Sequence, residues 1–405
     1  MQVELAFTSG DDSRKKITSF IDGECAKMIQ CFYVRQKRNA MLVRFAATNF
    51  RNFQQRIELD LTHHRDYEFN TFSVRNGIIK NGIVYGPNGS GKSNFSLAIF
   101  DIVYHLSQKW KELDYYLNFS NAANAKQDVM FEYVFAFDNY TVEYSYTKTS
   151  RGILSKESLV VNNVQKFIWQ KGKFDIDTDE FPMDESVKRR FTENANGVSV
   201  INYLLASYPL QRNHYLIKFR NFIDGMLWFR NLDERRFIGL DTGIKLIYEE
   251  MIRKHQIDDF ARFLDSISSQ KFDFLPPKDG DKMLFCRFGN NIIPFEVIAS
   301  TGTKSLALLF YWLKQLSAAS FVFIDEFDAF YHYSLSFAVC KELFKRDCQI
   351  FLSSHNTYLM TNDLLRPDCN FILADNAIRP LCECTEKDLR FGHNIEKLFR
   401  GGAFK

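Results

Sequence analysis

The eight residues Gly86-Pro87-Asn88-Gly89-Ser90-Gly91-Lys92-Ser93 constrain this chain more than any other segment. They fit G-x-x-x-x-G-K-[ST], and the pattern has meaning only where a strand runs into a helix. That context is present: the apolar run 81–85 (NGIVY) reads as a strand, and 94–108 carries Phe95, Ile99 and Val103 at helical spacing. Glycines let backbone N–H groups curl around phosphate oxygens, and the helix turns its positive end toward them. Lys92 is then expected to reach the β- and γ-phosphates of ATP and Ser93 to ligate Mg²⁺, with Asn94 continuing the cradle into the helix.

A P-loop of this kind needs an apolar strand ending in an acid. Phe321–Ile324 followed by Asp325 and Glu326 supplies one. Asp325 is expected to hold Mg²⁺, and Glu326 to act as general base toward the attacking water. Another apolar strand, 349–353, leads to His355, an imidazole placed to contact the γ-phosphate or the attacking water. A lone histidine is more often structural, but its position after the strand that follows the acidic pair favours a role. Upstream, the turn 299–306 (ASTGTKSL) opens an amphipathic helix. By itself it reads equally as a helix cap on Ser300 or Thr301, or as a second anion site at Ser300 and Gly302.

The organisation supports an α/β fold. Residues 1–40 look separate and form an N-terminal extension of uncertain status. At Met41 the chain turns β-like (MLVRFAATNFRNFQQRIELDL), and 129–161 reads as a meander with turns at 138–139 and 150–152. Residues 41–183 therefore form the first part of a head carrying the P-loop. Residues 184–270 show helical spacing and read as an inserted helical lobe. A hairpin through Gly289–Asn290 returns the chain to the second part of the head, 271–405, where helix and strand alternate as a doubly wound core requires.

Bulk properties exclude more than they specify. The chain has 405 residues, 46% hydrophobic and 25% charged, which suits a folded protein with one large core. A net charge of +3 does not announce a nucleic-acid binder. The runs 188–190 and 230–236 are candidate basic patches, each more simply a solvated helix face. The 41 phenylalanines read more simply as core than as a nucleic-acid stacking face, which would need aromatics interleaved with Lys and Arg on one exposed surface. Eight scattered cysteines without a CxxC pair suit free thiols in a reducing compartment. No run approaches a membrane span and no signal peptide opens the chain, so a cytoplasmic location is expected.

Taken in order, the P-loop, long insertion, S-x-G turn, FVFIDE and strand-end His355 resemble an ABC-class ATPase head. More closely, the chain resembles the AAA family numbered fifteen, in the OLD-family and RecF-like branch. MLVRFAATNFRNF, ASTGTKSLALL, FIDEFDAFYH, FLSSHN and HNIEKLFRGGAF carry the likeness over residues 41–405. The resemblance implies an ABC-class P-loop NTPase fold: a β-rich N-terminal subdomain and a doubly wound core with an inserted helical lobe. It implies an ATPase working as a homodimer or higher oligomer, with ATP between the P-loop of one subunit and Ser300 and Gly302 of the other. Asp328 and His332 fall in the inter-subunit segment, and Gln127 in the region of the Q-loop.

Members of this branch often serve bacterial antiphage defence or abortive infection beside a separate effector. The residues after His355 are too few for the nuclease domain of OLD-family proteins, so toxic chemistry is expected from another protein. The alternative is a RecF/SMC-like DNA-maintenance ATPase that clamps DNA, which leaves DNA open as a partner. A scaffold without turnover is disfavoured by Glu326. The long insertion and the TGTKS turn disfavour a transporter ATPase, and the S-x-G turn disfavours a ring unfoldase.

Overall fold

Ala40–Thr48 (β1) and Ile57–Asp60 (β2) open the described part of the molecule. The computed structural model describes residues 40–107, 113–193, 197–230, 237–239, 247–278 and 280–404. The extension expected at 1–40 lies outside these, apart from Ala40. A small hairpin, Val74–Arg75 (β3) with Ile78–Ile79 (β4), precedes the P-loop strand Asn81–Tyr85 (β5) and the helix Lys92–Leu106 (α1). Five strands follow: Val129–Phe137 (β6), Tyr140–Lys148 (β7), Leu154–Val161 (β8), Val164–Gln170 (β9) and Lys173–Ile176 (β10). With β1 and β2 they make an antiparallel sheet in the order β10-β9-β8-β7-β6-β1-β2. The alternation seen in the sequence is its cause. In β6, Val129, Phe131, Tyr133, Phe135 and Phe137 are buried and the residues between them only partly so.

The second half supplies most of a parallel sheet. Three helices come first: Glu185–Thr192 (α2), Val200–Ser207 (α3) and Tyr215–Asp224 (α4). Strands Leu227–Arg230 (β11) and Phe237–Gly239 (β12) lead to helices Ile247–Arg253 (α5) and Ile257–Ser268 (α6). A hairpin, Phe285–Phe288 (β13) and Asn291–Pro294 (β14), turns at Gly289–Asn290 as expected. Then come Phe295–Ile298 (α7), Thr301–Leu313 (α8), Phe321–Asp325 (β15), Tyr333–Phe344 (α9) and Gln349–Ser354 (β16). The edge pair Asn370–Ala374 (β17) and Ala377–Pro380 (β18) and the helix Ile395–Arg400 (α10) end the series.

The second sheet runs β12-β11-β15-β16-β5-β17-β18, parallel from β11 to β17 and antiparallel at both edges. Every residue of β5, β15 and β16 is buried, as befits parallel strands covered on both faces. One strand, β16, stands between the P-loop strand and the strand ending in Asp325. The sheet thus brings the ends of β5, β15 and β16 to one edge.

Helix α1 is held between the two sheets. Phe95 meets Phe45 and Phe53 of the first sheet's side, and Phe100 meets Phe321 of the second. Each such buried ring contributes about 2–3 kcal/mol. Asp101, also buried, pairs with Lys148 of β7 and accepts from the hydroxyls of Tyr115 and Tyr146.

The span 184–270, expected as a helical lobe, holds helices α2 to α6 and also two strands of the second sheet, β11 and β12. Helix α4 lies against the first sheet, with Phe219 and Phe222 on Phe135 and Phe137. β11 is a strand of the parallel sheet, paired with β15 in the register Arg230↔Asp325. LWFR continues an apolar run after a helix, and periodicity cannot separate a short buried strand from a helix end. The parallel sheet therefore draws strands from all three expected segments.

Candidate functional site

The P-loop turn owes its shape to its glycines. Gly89 and Gly91 have φ of +77° and +98°, and a Cβ on Gly91 would lie 2.4 Å from the Asn52 amide. A Cβ on Gly86 would stand 2.4 Å from the Leu373 carbonyl oxygen. Gly91 caps α1 without a side-chain hydrogen bond, so the first N–H groups of the helix point free into the turn. Lys92 folds back over it. Its Nζ donates to the carbonyls of Gly86 at 2.8 Å and Pro87 at 3.1 Å, and lies 3.5 Å from His355 Nδ1. Burial lowers the Lys92 pKa, with the charges of Asp325 and Glu326 acting the other way.

Asp325 is wholly buried at the end of β15. Its Oδ1 accepts from Ser353 Oγ at 2.6 Å, and the Ser93 hydroxyl lies near enough to favour the ionised carboxylate. Burial raises its pKa, opposed by the Ser353 hydrogen bond, by the Ser93 hydroxyl and by the charge of Arg230. Its second oxygen, Oδ2, has no hydrogen-bond partner. A buried carboxylate oxygen without a hydrogen bond, facing the Arg230 guanidinium at 3.6 Å and beside a serine hydroxyl, is a donor set that fits a hard divalent cation. Phosphate and water would complete the coordination.

Glu326 follows in a left-handed conformation, φ +49°, a strained geometry for a residue with a side chain. Its N–H donates to Ser353 Oγ at 2.8 Å, and its Oε1 accepts from Arg230 Nη2 at 2.8 Å. His355 follows β16, and burial and the Lys92 charge lower its pKa, which favours neutral imidazole at pH 7.

A cleft of about 1110 Å³ opens beside these groups, lined at one end by Ser93, Asn94, Arg230 and Asp325. Arg51, Asn52, Tyr104, Tyr115 and Tyr116 line the remainder. Arg51 donates to Asn94 Oδ1 at 3.1 Å, and its guanidinium lies over the rings of Phe50 and Tyr115. Gly86–Asn94, Asp325, Glu326 and His355 thus gather at one sheet edge.

The turn of Ser300 and Gly302 does not join them and lines no part of that cleft. Ser300 Oγ caps α8 by accepting from the Thr303 N–H at 3.2 Å. Gly302 packs so tightly that a Cβ would come 2.9 Å from the Phe330 carbonyl. Asp328 turns back to accept from Ser354 Oγ at 2.8 Å, while His332 is exposed at the start of α9. Gln127 is exposed, and its carbonyl accepts from Asn49 outside the cleft. The residues sequence reasoning missed are Ser353 and Arg230. Ser353 was visible only as a small polar residue before His355. Arg230 was read as part of a basic run, of which 231–236 lie outside the described residues.

The family model described as "AAA domain, putative AbiEii toxin, Type IV TA system" matches residues 83–361, from the P-loop strand to just past His355. The chain belongs to this AAA-domain family. It is therefore an ATP-binding P-loop protein of α/β fold, with its motifs at the ends of neighbouring strands of one parallel sheet. No curated protein matches the sequence. Among solved structures, the AAA-domain chain is similar to an Smc head bound to the C-winged helix domain of ScpA. That match has 13% identity, a TM-score of 0.43, and 84% of this chain against 96% of that one. An SMC head domain from Thermotoga maritima follows at 15% identity and TM-score 0.40, covering 84% and 98%. The recombination mediator RecF with ATP gives 14% and 0.39, covering 85% and 99%. No helix among the described residues of the AAA-domain chain is long and apolar enough to cross a membrane.

Proposed function

We propose that this AAA domain is an ATP-hydrolysing switch, two copies of which close over Mg-ATP. The observation that carries the reading is Asp325, buried with one oxygen left without a hydrogen bond beside Ser93 at the open end of the P-loop. Ser93 and Asp325 would hold Mg²⁺, which neutralises phosphate charge when bound. Residues 86–91, Lys92 and Asn94 cradle the phosphates through N–H groups and the ammonium. Glu326, one residue beyond Asp325, orients and deprotonates water, and His355 reaches the γ-phosphate from the next strand.

Ser300 and Gly302 are displayed away from the cleft of their own chain, which suits contact with a nucleotide held by a second copy. Within the AAA class we place the chain in the OLD-family and RecF-like branch, on its opening NFRNF and closing HNIEKLFRGGAF. The family model's description, with its AbiEii and type IV TA system, supports a role in bacterial defence; we place that role in the cytoplasm, with ATP-driven pairing controlling a separate effector.

The test is the solution mass of Glu326→Gln by light scattering, with and without Mg-ATP. The variant is expected to bind ATP, to lose about 10²–10⁴ in turnover and to double or multiply its mass. A chain that stays monomeric with ATP bound would contradict the sandwich.

A further inference from the structure

Arg230 reaches both acids at the end of β15 from a different strand. Parallel pairing sets its backbone opposite Asp325, and its side chain is 31% exposed. One arm, Nη2, donates to Glu326 Oε1 at 2.8 Å. The Nε faces Asp325 Oδ2 at 3.6 Å, too far for a hydrogen bond, and neither atom has another partner. The oxygen that Arg230 faces is thus the oxygen left for a divalent cation. Lys92 Nζ donates to Gly86 and Pro87 and to neither acid.

Two consequences follow from these distances. Glu326 leaves the backbone from a strained turn, so its carboxylate needs an external tie to hold one orientation toward water. A guanidinium and a dication addressing one carboxylate oxygen repel each other, so each weakens the other's hold. We propose that Arg230 is a positioning residue that couples the metal site to the hydrolytic carboxylate: one arm orients Glu326 and the other contends with the metal for Asp325 Oδ2. The proposal rests on the Mg-ATP reading given above.

Binding of a fluorescent ATP analogue to the full chain is titrated against Mg²⁺, and steady-state ATP turnover is measured alongside. In Arg230→Ala the half-saturating Mg²⁺ concentration is expected to fall about tenfold, as the competing charge is gone. Its kcat is expected to fall by about 10²-fold with KM within about threefold, as Glu326 loses its tie. Arg230→Lys keeps a charge but not the planar fork, so its Mg²⁺ dependence stays near wild type while kcat remains low. Should Arg230→Ala fail to fold, Arg230→Met carries the same expectation with the stem retained. Half-saturation in the uncharged variant within about twofold of wild type overturns the proposal. Failure of the underlying reading is seen separately, in the wild-type chain, as analogue binding indifferent to Mg²⁺ and to Lys92→Ala.

Discussion

Ser353 Oγ accepts the backbone N–H of Glu326 at 2.8 Å while donating to Asp325 Oδ1 at 2.6 Å. One hydroxyl on β16 therefore fixes both acids at the end of β15, Asp325 within the strand and Glu326 just after it. The same strand carries His355 to Lys92, so the acidic pair, the histidine and the P-loop are tied through adjacent strands rather than flexible loops. Sites built on strands hold their geometry better than sites on loops, and positioning is most of what phosphoryl transfer asks of a protein.

Lys92 anchors the P-loop through two carbonyls and supplies its one ammonium. Lys92→Ala is expected to weaken ATP binding by about a hundredfold or more, since a charge-assisted contact to phosphate is lost with the loop's own brace. Equilibrium binding of labelled ATP checks this. Tight binding by the variant would remove the P-loop assignment.

Ser300 is exposed and caps α8, so a long charged side chain there meets no core. Ser300→Arg is expected to cost about 1 kcal/mol of stability from the lost cap. It should block ATP-driven pairing in a Glu326→Gln background while leaving ATP binding to the single chain within about threefold. Sedimentation with and without Mg-ATP reads the outcome, and unchanged pairing refutes the role given to this turn.

Asp325 gives a pH dependence with a definite sign. Burial lifts its folded pKa above the unfolded value of 3.8. Its contribution to stability is therefore fully present below 3.8 and lost as pH rises through the folded value, so the ionised group costs stability at pH 7. Asp325→Asn is expected to gain roughly 1 kcal/mol at pH 7 and to lose the Mg²⁺ dependence of nucleotide binding. The gain should shrink as the pH is lowered toward 3.8. Chemical unfolding across pH measures it; a variant less stable than wild type at pH 7 would show that the Arg230 charge outweighs burial.

Lys148 and Asp101 form a buried pair joining β7 to α1. Lys148→Met leaves the Asp101 charge without its cation, and a loss of about 3–5 kcal/mol is expected. Because α1 begins at Lys92, nucleotide affinity should fall together with the melting temperature. A melting temperature equal to wild type would show that the hydroxyls of Tyr115 and Tyr146 suffice to hold Asp101.

The sequence by itself determined the parts whose physics is local. Gly89 and Gly91 mark a turn that needs positive φ, Asn81–Tyr85 and Phe321–Asp325 are short apolar strands, and Gly289–Asn290 closes a hairpin. The meander declared itself because one face is buried and the side chains alternate. Tertiary structure alone decided what depends on pairing between distant segments. Leu227–Arg230 reads as the tail of a helical stretch until β15 is laid beside it, and only that register turns Arg230 from one of several basic residues into the partner of Asp325 and Glu326. Ser353 became the hinge of the acidic pair for the same reason. A backbone conformation is set by neighbours in the chain, whereas a carboxylate's partner is set by whichever strand the sheet places next to it.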